Sequence, residues 1–318
     1  MTERRFANLC WAALAVLAAS CIGCSRIASE APDRASAGLI VFSAAGSDGR
    51  FDLYSARPDG SDRKQLTRQG NNITPAWTPD GTRIIFASDR TGTRELYVIT
   101  ESDREPSRIA TSVAGNKLTP SMSHDLSKIA FAVEDPVTGH PEIWIASADG
   151  AAPRRLTTTP KASTGPTWAL FPRFSPDDAR ILYASTQSGS SQIWIMNADG
   201  TGNRQLTSGV STDAPDANAP NWSPDGTRIV FWAGHETRYG EVWTMDADGT
   251  HRKQLTEQPA PISSDNPAWS PDGGTIIFDS NRSGTTVEIW IMKSDGGDQR
   301  RLIGGLGAGG VMQMSWRR

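Results

Sequence analysis

Cysteine is nearly missing from this chain: there are three in 318 residues, Cys10, Cys21 and Cys24, all ahead of residue 25. Whatever folds beyond that point has no disulfide framework and no thiol nucleophile. Histidine is scarce as well, with four copies. Neither a Gly-x-Ser-x-Gly elbow nor a Gly-x-x-x-x-Gly-Lys-Ser/Thr phosphate loop occurs. Helical periodicity is absent outside the extreme N-terminus, where an apolar run at 9–20 is too short to cross a bilayer. Charge of one sign is not concentrated either. The net charge is −3, and basic residues recur singly or in pairs (Arg63-Lys64, Arg154-Arg155, Arg204, Arg252-Lys253, Arg300-Arg301). Spread in this way they form a solvated rim on outer strands, and a nucleic-acid partner is not expected.

What is abundant is repetition. An aromatic or its stand-in returns every 45 to 52 residues, at Trp77, Met122, Phe174, Trp222, Trp269 and Trp316. A Ser/Thr-Pro-Asp-Gly turn commonly follows it. Then come an apolar strand, a second strand carrying Leu53-Tyr54, Leu96-Tyr97, Ile143-Trp144, Ile193-Trp194, Val242-Trp243 or Ile289-Trp290, and a closing Leu-Thr or equivalent. In the fifth copy Ser223-Pro224-Asp225-Gly226 is a hairpin turn: proline presets φ and glycine accepts the left-handed conformation. Four short antiparallel strands per copy, repeated radially, predict an all-β fold, a six-bladed β-propeller. Most of the 11 tryptophans lie at repeat positions and read as core.

The two ends of the repeated region complement each other. The first copy opens on the second-strand sequence Leu39-Ile40-Val41-Phe42, and a first-strand sequence, Gln313-Met314-Ser315-Trp316, stands by itself after the sixth. Blade one is therefore expected to combine residues 39–67 with 312–317, closing the ring and removing an open sheet edge. The propeller is assigned to residues 38–318.

Ahead of it, Arg4 and Arg5 precede the apolar run and the segment Leu17-Ala18-Ala19-Ser20-Cys21-Ile22-Gly23-Cys24-Ser25. This pattern fits a secretory signal peptide over residues 1–20. Small residues before a cysteine resemble a bacterial lipobox, which implies lipidation at Cys21, with Cys24 as the alternative and an ordinary signal peptide as the competing interpretation. Residues 21–37, rich in Ser, Ala, Pro and charge, read as a flexible tether.

The repeat motifs resemble those of the TolB-like β-propeller family. The similarity rests on Trp77-Thr78-Pro79-Asp80-Gly81-Thr82-Arg83, its counterparts at 222–228 and 269–273, Ile-Trp-Ile-Met at 193–196 and 289–292, and Asp-Gly-Thr-Gly-Asn-Arg-Gln-Leu-Thr at 199–207. Members place an α/β domain ahead of the propeller, where this sequence has the tether. With the lipobox and no catalytic constellation in the sequence, the expectation is a non-catalytic, monomeric protein of the cell envelope, periplasmic or surface-facing and most naturally at the outer membrane. Its implied partner is an envelope protein such as a Pal-like lipoprotein; no cofactor and no metal are implied, and the lipid anchor is the expected membrane contact.

Turns joining strands one to two and three to four are nearly uniform among the copies, whereas the remaining loops differ in length and chemistry. Specific contacts are expected at the varied end. Candidates there are His235, Arg238 and Tyr239, together with Trp168, Trp232, His140, Arg90 and Arg282, and nearby Asp213, Asp216 and Asp265. Each is also readable as an ordinary loop or rim residue, and Trp232 divides evenly between core and rim. Catalytic residues are not apparent. His124 and His251 sit in uniform turns, and His140 with His235 is too few for a three-histidine metal site. Asp246-x-Asp248-Gly249 lacks the distal glutamate of a calcium loop and reads as a turn. A carbohydrate-binding or polysaccharide-processing propeller, stacking sugars on Trp168, Trp232 and Tyr239, is the alternative.

Overall fold

The computed structural model describes residues 38–46, 48–159, 167–209, 216–235, 238–284, 286–306 and 310–317. Cys21, Cys24, the signal peptide and the tether up to residue 37 lie outside them, as does Asp213. Six four-stranded antiparallel sheets are present. Blade one comprises Val311–Arg317, Leu39–Ala45, Phe51–Ala56 and Lys64–Gln65. Blade two is Asn72–Trp77, Ile84–Thr91, Thr93–Ile99 and Ser107–Ile109, and blade three is Asn116–Met122, Lys128–Glu134, Pro141–Ser147 and Arg154–Arg155. Blade four is Ala169–Phe174, Arg180–Ser185, Gln192–Asn197 and Arg204–Gln205. Blade five is Asp216–Trp222, Arg228–His235, Arg238–Asp246 and Lys253–Gln254, and blade six is Ser264–Trp269, Thr275–Ser280, Glu288–Lys293 and Arg300–Ile303.

Second strands are apolar on both faces because each is covered on both. Successive side chains alternate across a sheet. Ile40, Phe42 and Ala44 accordingly pack against Ala268, Ile277 and Ile289 of blade six, while Val41 packs against Trp77, Ile84 and Phe86 of blade two. Phe42, Phe86, Phe131, Tyr183, Phe231 and Phe278 hold the same place in successive copies and are fully buried. The core is a cycle of layers, each shared by two neighbouring blades.

The closing Leu-Thr has a local cause. The hydroxyls of Thr67, Thr157, Thr207 and Thr256 each accept the third-strand N–H of Leu53, Ile143, Ile193 and Val242, at 2.9 Å in every case. Each hydroxyl then donates to a side chain on that strand, Asp52, Glu142, Gln192 or Glu241. The short outer strand is thereby clamped. In blade six Gly304 stands where the threonine would be, and Glu288 Oε2 is left without a partner.

Ring closure follows the expected register: Ile40 pairs with Trp316 and Val41 with Ser315. The closing strand is also fastened forward to blade two. Ser315 Oγ accepts the Trp77 N–H at 3.1 Å, Arg317 pairs with Glu101 at 2.7 Å, and its guanidinium lies 4.4 Å from the Trp77 ring.

One regular feature escapes the sequence patterns. Every hub strand carries a bulge, centred on Thr74, Thr119, Phe171, Ala219, Asn266 and Gln313, with φ between 47 and 58°. Proline follows five of these six residues. A proline cannot donate to a ladder, so within a sheet it is confined to edges and bulges.

Candidate functional site

The uniform turns satisfy themselves. In blade five Ser223 donates from its hydroxyl to Asp225 at 2.6 Å, its N–H reaches the Arg228 carbonyl at 2.8 Å, and its carbonyl accepts the Gly226 N–H at 2.9 Å. Hydrogen bonds from Ser223, then from Thr227, bring the Asp225 pKa down to about 2. The arginine that ends the turn reaches the next blade: Arg180 lies 5.2 Å from the Trp222 ring and Arg228 4.8 Å from the Trp269 ring. Two copies break the glycine rule. Leu126 and Asp178 occupy its place at φ 59 and 58°, and Asp178 spends its carboxylate on the backbone N–H groups of His124 and Asp125, at 2.7 and 2.9 Å.

At the varied end the candidates separate. Arg90 and Arg282 are equivalent residues, and both are interior ties. Arg90 donates to Ser88 Oγ and Asn72 Oδ1 and covers the Tyr97 ring at 4.8 Å, with its side chain 10% exposed. Arg282 donates to Ser280 Oγ and Ser264 Oγ and covers Trp290 at 4.8 Å. Burial lowers the pKa of both guanidinium groups. His140 is half-buried, with Nδ1 2.6 Å from the carbonyl of Thr167, a geometry that makes this nitrogen the donor. Its neighbour Trp168 is half-buried against the layer between blades four and five. His140 thus meets the chain just ahead of Trp168 at the junction of blades three and four, whereas the Trp168 side chain packs toward blade five.

The blade-five candidates meet at another. The backbones of His235 and Arg238 pair across the end of the hairpin. Tyr239 is 43% exposed, and among the described residues few other large apolar side chains are so open. Gly240 lets the chain pass beneath Trp232: a Cβ there would fall 2.9 Å from Trp232 Cε3 and 2.4 Å from Asp265 Oδ1. Asp265 accepts from Ser263 Oγ at 2.5 Å, and Ser263 Oγ also accepts the Gly240 N–H at 2.9 Å.

Beside Asp265, directly across the ladder, is Asp279, a carboxyl group the sequence patterns did not single out. It is buried, with Oδ1 unpartnered and Oδ2 3.4 Å from Asn266 Nδ2. Burial, and then the charge of Asp265, hold the Asp279 pKa well above the carboxylate range; burial raises Asp265 too. Asp279 and Trp232 occupy the same column of the repeat, where the other copies have Ser43, Ala87, Ala132 and Ala184. That departure was the available signal.

The hub is recessed at the opposite, uniform-turn end. A cavity of about 500 Å³ is lined there by Trp77, Trp222, Trp269, Trp316, Met122 and Phe174, with Arg173 among the polar lining residues. This recess lies away from the end that loop variation selected. Among the described residues, no group of three or more His, Cys, Asp or Glu is placed to hold a metal ion.

The repeat, the closed ring and the aromatic hub column can be compared with known families. A model of the PD40 TolB beta propeller domain matches residues 14–136, 107–216 and 215–312. The chain belongs to this family. The Tol-Pal system protein TolB of Anaeromyxobacter dehalogenans strain 2CP-1 is 36% identical over 124 residues, covering 38% of this chain and 27% of that protein. TolB of Francisella tularensis subsp. tularensis strain WY96-3418 is 29% identical over 183 residues, 57% of this chain and 40% of that protein. The crystal structure of TolB from Acinetobacter baumannii superposes with a TM-score of 0.72 at 24% identity, over 88% of this chain and 66% of that one. These matches span less than two thirds of each TolB relative.

Proposed function

We propose that this TolB-type propeller is a non-catalytic interaction scaffold of the bacterial envelope, binding a Pal-like lipoprotein or similar envelope protein at its varied-loop end. Membership of the TolB propeller family carries this proposal. The physical support is preorganisation. Six blades locked to their neighbours hold the hairpins in place before any partner arrives, so little ordering cost attaches to binding. Tyr239, exposed near the end of the hairpin that also carries half-buried Trp232, is the aromatic anchor such an interface needs. His235 and Arg238 complete the contact. Lipidation at Cys21, or alternatively Cys24, tethers the ring to the membrane, most naturally the outer one, through residues 21–37.

The test is binding of the full chain to a purified Pal-like lipoprotein from the same cell, followed by biolayer interferometry. Alanine at His235, Arg238 and Tyr239 together should weaken capture at least tenfold while leaving the thermal melt unchanged. Undiminished capture would move the interface elsewhere. Fatty-acid labelling that survives Cys21→Ser but disappears in Cys24→Ser would reassign the anchor.

A further inference from the structure

One position in the hub departs from its five equivalents. Immediately before the landmark aromatic stand Ala76, Ser121, Arg173, Asn221, Ala268 and Ser315, and all six line the central cavity. Five are small or neutral. Arg173 alone is charged, and it is not neutralised. Of the five N–H donors a guanidinium offers, one hydrogen bond is made, from Nη1 to the Pro172 carbonyl at 2.9 Å. No carboxylate lies within ion-pairing distance of it among the described residues.

The other charged lining groups are committed. Arg317 spends its charge on Glu101 and also donates to the Gly81 carbonyl. Asp80 accepts from the hydroxyls of Thr78 and Thr82. His124 is held by Asp178. Among the described residues, Arg173 is therefore the lining cation without a carboxylate partner, beside a wall of indole and phenyl rings. Burial pulls the Arg173 pKa down to about 10, which still leaves the group protonated near neutrality.

Arg173 is half-buried, and a partly desolvated charge without a partner favours an anion that can pair with it. A guanidinium is a planar fork that matches a carboxylate in two parallel hydrogen bonds. One such group balances one negative charge; among the described lining residues a doubly charged phosphate would find no second unpaired cation. The volume of about 500 Å³ lies within the range of small-molecule sites, about 300–1,000 Å³. We infer that the hub cavity is a binding site for a monocarboxylate carried on an apolar or aromatic body, with Arg173 receiving the carboxylate and the tryptophan-lined wall receiving the body. The carboxylate has two sources, a free organic acid or the C-terminal end of a peptide. The site is at the other end of the ring from the proposed protein interface, and its test does not depend on that interface.

Four tryptophans line the cavity, so intrinsic fluorescence of the full chain reports occupancy. The probes are 3-phenylpropionate, the peptide acetyl-Ala-Ala-Phe with a free C-terminus, and the amide of each. At least one acid should change the fluorescence saturably. Its amide should bind at least about tenfold more weakly, as expected for loss of a charged hydrogen bond. Arg173→Gln should weaken the acid by a similar factor without affecting the amide, and Arg173→Lys should retain part of the affinity. Thermal melts of both variants verify the fold; Arg173→Gln should melt no lower than the parent, since it removes an uncompensated charge. Binding of the small acid alone identifies a free organic acid as the source, and binding of the peptide alone identifies a chain terminus. If neither acid saturates, if amides equal acids, or if folded Arg173→Gln binds as the parent does, the assignment is overturned.

Discussion

The two ends of the ring are built on opposite economies. At the uniform end the sequence repeats itself, and each turn satisfies its own backbone: Ser223, Asp225 and Gly226 need nothing from outside. At the varied end every loop differs, yet much of the chemistry there is consumed internally. Arg90 and Arg282 tie strands together, and His140 holds the Thr167 carbonyl. The open positions are instead Tyr239 on one end and the unpaired Arg173 in the hub of the other. Variation between copies thus marks where loops differ. It does not by itself mark where a side chain is left free.

That contrast can be broken most severely at the closure. Deleting residues 311–318 removes a whole hub strand together with the Arg317 contacts to Glu101 and Trp77. Cooperative thermal unfolding should be lost or fall far below that of the full chain; an unchanged melt would mean that the ring does not depend on this strand.

A smaller effect is expected at the buried pair of the varied end. Asp279 has a raised pKa, so the folded state holds its proton more tightly than the unfolded chain does. Its contribution is fully present below the unfolded carboxyl value and is lost as pH rises toward the folded one. Stability should decline over that window. Asp279→Asn should flatten the decline and raise stability at pH 7 by more than the roughly 0.5 kcal/mol typical of surface changes, as measured by urea unfolding across pH. An identical pH profile in the variant would remove Asp279 from the account.

At the uniform end Leu126 sits at φ 59°, where a Cβ costs about 1–2 kcal/mol. Leu126→Gly should recover up to about 1 kcal/mol after glycine's own entropy cost. In the parent, hydrogen exchange should show residues 122–157 less protected than blade five, because Met122 also offers no indole ring at the landmark position. Equal protection would deny blade three its weakness. The smallest effect on stability belongs to the alanine triple at His235, Arg238 and Tyr239, whose melt should be unchanged even as capture fails.

Much of the fold was legible because a propeller writes its architecture into a period. Trp222, Gly226, Phe231 and Leu255 recur for reasons of local geometry and layer packing, so spacing alone located strands, turns and the closing segment. The bulges at Thr74, Thr119, Phe171, Ala219, Asn266 and Gln313 were missed although X-Pro ahead of the landmark announced five of them. Their φ angles arise from strands converging on an axis, a tertiary demand. Arg90 and Arg282 looked like loop residues because their aromatic partners, Tyr97 and Trp290, belong to the next strand and cannot be paired with them by eye. Arg173 and Asp279 were hidden differently. Each is an odd member of an otherwise neutral column, and only column-by-column comparison brings it out.

The strand at Val311–Arg317 emerges from the ribosome after every other strand of the ring. Until then blade one has no inner neighbour, and blade two lacks the serine and arginine that grip Trp77 and Glu101. Synthesis therefore delivers the clasp after the strands it joins, and until residues 311–317 have been made blade one lacks its inner strand. A stop ahead of residue 311 would leave Leu39–Ala45 without its hub-side neighbour and open the circle at that blade.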